Sequence, residues 1–141
     1  MEKIVDLHIH GRYSGGCSKD ITLEKLEHYA RIKGVDVLGT GDFTHPKWFK
    51  EITENLKEDD NGILRSSKGY PFIWQTELSL AYTQDGKGRR VHHLVLAPSK
   101  EVVEQITEAL LKRGRVDYDG RPIFGMSSIE FLEMLRSISD M

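Results

Sequence analysis

Cysteine is nearly absent. Cys17 stands alone in 141 residues, so no disulfide can close within the chain, and the sequence fits a reducing compartment. No apolar run approaches the ~20 residues that a membrane-crossing helix needs. No leader pattern is expected from the first residues: Met1-Glu2-Lys3 runs straight into a short strand pattern that carries charge and histidine. The expectation is therefore a cytoplasmic protein with no membrane partner. There is no Gly-x-x-x-x-Gly-Lys-Ser/Thr phosphate loop, which excludes an ATP-driven motor of that type. Internal repeats, low-complexity tracts and heptads are missing as well. Twenty basic against 22 acidic residues give a net charge of −2, so no global basic field advertises nucleic acid, although a local basic groove is compatible with that balance. What is present, 38% hydrophobic and 30% charged residues, is the composition of a soluble chain able to build one core, and the length suits one domain.

The most informative stretch is Val5-Asp6-Leu7-His8-Ile9-His10. It alternates as a strand does, which puts Asp6, His8 and His10 on one face and Val5, Leu7 and Ile9 on the other. Two imidazoles two residues apart on a rigid strand can share one metal ion, with Asp6 fixing a ring tautomer. The competing reading is a half-buried edge strand whose histidines happen to alternate, and the motif alone does not decide between them.

Further along, the pattern predicts a strand over 3–10, a Gly/Ser-rich loop over 11–20 and a helix over 22–33 with Leu23, Leu26, Tyr29 and Ala30 inward. A strand over 35–39 and a helix opened by Pro46 over 47–57 follow, then an irregular segment over 59–69. Strands over 71–82 and 89–97 flank the turn signal Gln84-Asp85-Gly86. A three-residue loop would pair Glu77 with His93; a two-residue turn at Asp85-Gly86 would shift that pairing by one. Ser99 caps a helix to 112, and Ser127-Ser128-Ile129-Glu130 is a capping box opening a last helix with Phe131, Leu132, Met134 and Leu135 inward. The early strand–helix alternation predicts parallel strands with right-handed crossovers.

Metal-loving side chains fall at the ends of these strands: His8 with His10, Asp42 with His45, Glu77, and His93 beside His92. Strand ends of an α/β sheet or barrel meet at one mouth, so ligands distant in sequence can converge there. Imidazole mixed with carboxylate suits Zn, Mn or Fe, and the lack of thiolates argues against a structural zinc finger.

These residues carry a resemblance. Asp6-Leu7-His8-Ile9-His10 followed by Ser14 resembles the first motif of the polymerase and histidinol phosphatase (PHP) family. Gly41-Asp42 resembles the second motif, Gln75-Thr76-Glu77-Leu78-Ser79 the glutamate motif, and His93-Leu94-Val95-Leu96-Ala97 the histidine-led strand after it. The wording from Gly39 to Phe49 is similar to the endonuclease Q branch, which nicks DNA beside deaminated bases. The resemblance implies a distorted (β/α) barrel, commonly of seven strands, holding up to three divalent ions (Zn, Mn, Fe or Mg). It implies that His8 and His10 bind one ion, that Glu77 bridges two, and that His93 rather than His92 binds the second. Asp42 would be a ligand or the acceptor behind one, and His45 would stand in for the histidine that Phe43 replaces. A closed barrel takes more than about 200 residues. The expected fold is therefore α/β, an incomplete barrel of about four strands with flanking helices, forming the N-terminal part of a phosphoesterase domain that continues beyond residue 141.

The implied reaction is metal-dependent phosphodiester hydrolysis on DNA, with Asp42 and Glu77 as the catalytic carboxylates. Arg12, Tyr13, Lys47 and Trp48 beside the mouth are the candidate substrate contacts, supplying phosphate binding and stacking. A phosphatase for small monoesters and a non-catalytic PHP-like scaffold are the alternatives.

Overall fold

The computed structural model describes residues 1–140. In chain order the elements are β1 (Val5–Asp6), α1 (Leu23–Lys33), β2 (Val37–Gly39), α2 (Pro46–Asn55), β3 (Lys57–Glu58), β4 (Leu64–Arg65), β5 (Pro71–Gln84), β6 (Lys87–Ala97), α3 (Lys100–Leu111), β7 (Ile123–Phe124) and α4 (Ser128–Ile138). The fold is α/β with a mixed seven-stranded sheet, against an expectation of about four strands.

β5 organises the sheet. Its first residues pair in parallel with β2 (Leu38↔Phe72) and antiparallel with β4 (Leu64↔Phe72). From Trp74 onward it pairs antiparallel with β6, and Ser79 and Leu80 also meet β7 in parallel. β1 joins β2 in parallel, as the strand–helix alternation predicts. One face of β5 carries Phe72, Trp74, Leu78 and Leu80, all fully buried among α2, α3 and β6 side chains including Trp48, Ile52, Val103 and Leu110. Burial of each such leucine or phenylalanine is worth about 1.5–3 kcal/mol, so this face anchors the strand. The opposite face carries Gln75, Glu77 and Ser79.

The helices form where their end signals lie. Thr22 accepts the Lys25 N–H at 3.1 Å and Gly34 closes α1 with φ 74°. The capping box of α4 is present in both halves. Tyr29 and Leu132, expected inward, are 58% and 51% exposed: each lies at the margin of its helix's apolar stripe, which reaches the core through Leu23 and Ala30 in α1 and Phe131 in α4.

Two other expectations are corrected. The first strand is regular only over Val5–Asp6. Beyond it, side chains replace the ladder: Asp6 accepts the His8 N–H at 3.1 Å, Gln75 Oε1 the Ile9 N–H at 3.2 Å, and Asp42 Oδ2 the Gly11 N–H at 2.6 Å. The segment 59–69, expected to be irregular, contains β4, which pairs with β3 and β5. Asp59 shapes the turn between β3 and β4 by accepting the N–H groups of Asn61 and Ile63 at 2.9 and 3.0 Å, and Glu58 is held by the Trp74 indole at 2.6 Å.

Candidate metal centre

The hairpin between β5 and β6 sets the geometry of the site. Asp85 and Gly86 have φ values of 53° and 72°, the paired positive angles of a two-residue type I′ turn. The register that follows is Gln84↔Lys87, which puts Leu94 opposite Glu77 and His92 opposite Ser79. Side chains directly opposite share a face, so His92 stands on the Glu77 face and His93 on the other. His92 Nδ1 is 2.8 Å from Glu77 Oε1. His93 Nε2 instead meets Ser128 Oγ at 2.8 Å, and its ring packs on Phe131 of α4. The expectation of His93 at the cluster is thus corrected by one step of register.

His8, His10 and Glu77 do converge: one ligand atom from each lies within 4.8 Å of the others. His8 Nε2 and His10 Nε2 each approach Glu77 Oε2 to 2.9 Å. The Glu77 side chain is 4% exposed, that of His10 24% and that of His8 58%, so the group opens toward solvent on the His8 side. The second oxygen of Glu77 faces His92, with Arg121 Nη1 at 3.9 Å. Burial alone would raise the Glu77 pKa; His8, His10 and Arg121 together hold it below the usual value.

Asp42 is the acceptor behind the cluster. It is fully buried, and Oδ1 takes His10 Nδ1 at 2.9 Å while Oδ2 takes Gly11 N–H at 2.6 Å and Ser14 Oγ at 2.8 Å. The bond from His10 Nδ1 to Asp42 raises the imidazole pKa against the opposing effect of burial. The same bond turns Nδ1 toward Asp42 and Nε2 toward Glu77, so a neutral His10 with its proton on Nδ1 would offer the Nε2 lone pair to an ion held between ring and carboxylate. Asp42 has φ 47°, an uncommon backbone for a non-glycine residue, held by the bond from His45 N–H to its carbonyl at 3.0 Å. Asp6, expected in this role, uses its carboxylate on the His8 backbone instead.

The remaining sequence candidates separate. Trp48 is fully buried and donates its indole N–H to the Thr40 and Gly41 carbonyls at 3.0 Å each, so it braces the loop and is not a substrate contact. Its ring leaves no room for a side chain at Gly11, where an added methyl would fall 2.6 Å from the ring. Arg12 makes a two-pronged pair with Glu51 at 3.1 and 2.6 Å, and Tyr13 donates to the same carboxylate at 2.7 Å. His45 lies outside the ligand group: it precedes α2, is 4% exposed, and stacks on Tyr13 at 4.5 Å. Burial pushes its pKa down, against the pull of the Asp117 backbone and Asp42. Lys47 is exposed and has no hydrogen-bond or ion-pair partner among the described residues.

Sequence reasoning missed Glu51, Arg121 and the place of His92. A strict reading of Asp85-Gly86 as a two-residue turn would have found His92. Glu51 and Arg121 carry no local signal, because their roles come from partners 39 and 44 positions away. Two imidazole nitrogens and a carboxylate, with one ring oriented by a buried acid, form a donor set that fits Zn, Mn or Fe.

No family model matches the chain. An uncharacterized protein of Methanocaldococcus jannaschii is 38% identical over 135 residues, 95% of this chain and 15% of that protein. The crystal structure of the novel lesion-specific endonuclease PfuEndoQ from Pyrococcus furiosus matches with a TM-score of 0.81 at 30% identity, over 95% of this chain and 32% of that one. A crystal structure of endonuclease Q in complex with a 27-mer duplex substrate, with an abasic lesion at the active site, matches with a TM-score of 0.82 at 32% identity and the same coverage. The chain thus spans about a seventh of the length of the curated relative and about a third of the solved chains it resembles.

Proposed function

We propose that these 141 residues are the N-terminal portion of a PHP-type metal-dependent phosphodiesterase domain that cuts DNA at damaged sites, in the manner of endonuclease Q. One observation carries the reading: His8, His10 and Glu77 converge within a fold that is 30–32% identical, over 95% of its length, to endonuclease Q chains, one of them solved on lesion-bearing DNA. The Glu77 face leaves Leu94 and Leu96 44% and 48% exposed beside the cluster, which supports an inner barrel wall that further polypeptide covers.

His8, His10 and Glu77 would hold a divalent ion, which would supply water activation and charge stabilisation for phosphodiester hydrolysis. His8 and His10 direct Nε2 to the same Glu77 oxygen, and Asp42 orients the His10 ring through Nδ1. Glu77 directs Oε2 to those histidines and Oε1 to His92 and Arg121, the disposition of a carboxylate that spans two positive centres. Asp42 is a positioning residue in this scheme, since its carboxylate bonds go to His10, Gly11 and Ser14.

A nicking assay on a duplex with one deaminated base, run beside phosphate release from a small ester, tests the reading. The expected result is metal-dependent strand cleavage that is lost in H10A and E77A. Phosphate release without nicking would assign a monoesterase instead. Neither activity, in a chain that takes up no transition metal, would assign a scaffold.

A further inference from the structure

The β5–β6 hairpin outruns the sheet it belongs to. β7 pairs with β5 only at Ser79 and Leu80; from Ala81↔Arg90 to Gln84↔Lys87 the two strands have only each other. Residues 83–90 are exposed throughout. Such a two-stranded projection buries little apolar surface, so its side chains are free to serve a partner.

Its charge is distinctive. Lys87, Arg89 and Arg90 fall within four positions, and Asp85 is the acid at the tip. Among the described residues none of the three side chains has a hydrogen-bond or ion-pair partner, whereas Arg12, Arg31, Arg65 and Arg115 are each tied to a carboxylate. In a chain of net charge −2 this is a local reversal of sign.

The projection is also aimed. Arg90 is two residues from His92 and so shares its face, the face of Glu77. At the base of the arm, Arg121 Nη1 lies 3.5 Å from His92 Nδ1 and 3.9 Å from Glu77. Arg121 is placed by Asp119, which accepts its backbone N–H at 2.8 Å and that of Gly15 at 3.2 Å. By the same alternation Lys87 and Arg89 stand on the opposite face of the hairpin, so the arm carries cations on both faces and Arg90 alone is on the Glu77 side. From His92 to Lys87 a strand covers about 17 Å, at ~3.4 Å per residue, and spans about five phosphates of one DNA strand.

We propose that the projecting β5–β6 hairpin, through Lys87, Arg89 and Arg90 with Arg121 at its base, is an arm that holds the DNA phosphate backbone beside the cluster. The inference rests on the DNA reading above and adds where the duplex lies. Contacts of this kind fix orientation and read no base, so the arm grips damaged and undamaged duplexes alike.

The test is fluorescence anisotropy of the full 141-residue chain with a labelled duplex, with and without one deoxyuridine, and with divalent ions chelated so that the strand stays intact. Affinity is measured against salt for the wild type, K87A, R89A, R90A and the triple variant, with K25A on α1 as the control. The expected result is a wild-type affinity that falls steeply with salt. The slope becomes shallower by about one for each arm substitution, equally on both duplexes, and does not change in K25A. Wild-type binding with slopes unchanged in the arm variants would overturn the arm while leaving the DNA reading in place. Self-association of those variants would then assign the charges to guarding the free edge of β6. A wild type that binds neither duplex would overturn the arm and the DNA reading together.

Discussion

Asp42 ties the loop after β2 to the segment after β1: it accepts from the His10 ring, the Gly11 backbone and the Ser14 hydroxyl while fully buried. Asparagine at this position keeps the shape but turns an amide N–H₂ toward groups that need an acceptor. Asp42→Asn is expected to weaken ion binding by about 10- to 100-fold, read by competition with a chromogenic chelator. Gly120 belongs to the same knot, since a methyl there would collide with the Asp42 carboxylate and the Ser14 hydroxyl. His93 offers the opposite expectation. H93A loses the Ser128 bond and the Phe131 contact, so its urea midpoint falls while its ion stoichiometry equals that of the wild type. Loss of the ion in H93A would restore the histidine that the family resemblance selects.

At the scale of elements, the β5–β6 register decides which histidine reaches the cluster. Gly86 at φ 72° holds a left-handed position of the hairpin turn, and G86V is expected to cost about 1–2 kcal/mol in chemical unfolding. In α4, Ser127 accepts the Glu130 N–H at 3.2 Å and Glu130 returns the bond to Ser127 N–H at 2.8 Å. S127A should lose about 1 kcal/mol. The Ser127 backbone bond holds the Glu130 carboxyl below its usual pKa. Its contribution is therefore complete above the unfolded value of about 4.3 and is lost as pH falls through the lower folded value. Urea midpoints of the wild type and E130Q should differ at neutral pH and converge in acid; a constant gap would contradict the assignment. Helix ends were legible in the sequence because Thr22, Ser99, Ser127 and Gly34 act on their immediate neighbours. The short strands were not: β3, β4 and β7 are two residues each, too brief for periodicity, and exist because β5, or β4 in the case of β3, offers an edge.

Over the whole molecule, the candidate site draws on the segment after β1, the loop after β2, and the middle of the longer β5, brought together by the parallel β1–β2–β5 part of the mixed sheet. The sequence carried His8, His10, Asp42 and Glu77 into this region because each lies in or directly after an apolar strand pattern. Trp48 and His45 were misplaced because a loop's side chains can turn to core or solvent with no periodicity to decide it, and here both turn inward. The central claim is that His8, His10 and Glu77 hold one cation in common. The most direct measurement is an anomalous difference map at the zinc edge from crystals of the chain grown with zinc. The account expects a peak about 2.0–2.3 Å from His8 Nε2, His10 Nε2 and a Glu77 oxygen. Zinc bound elsewhere, with those three side chains turned away from one another, would contradict it.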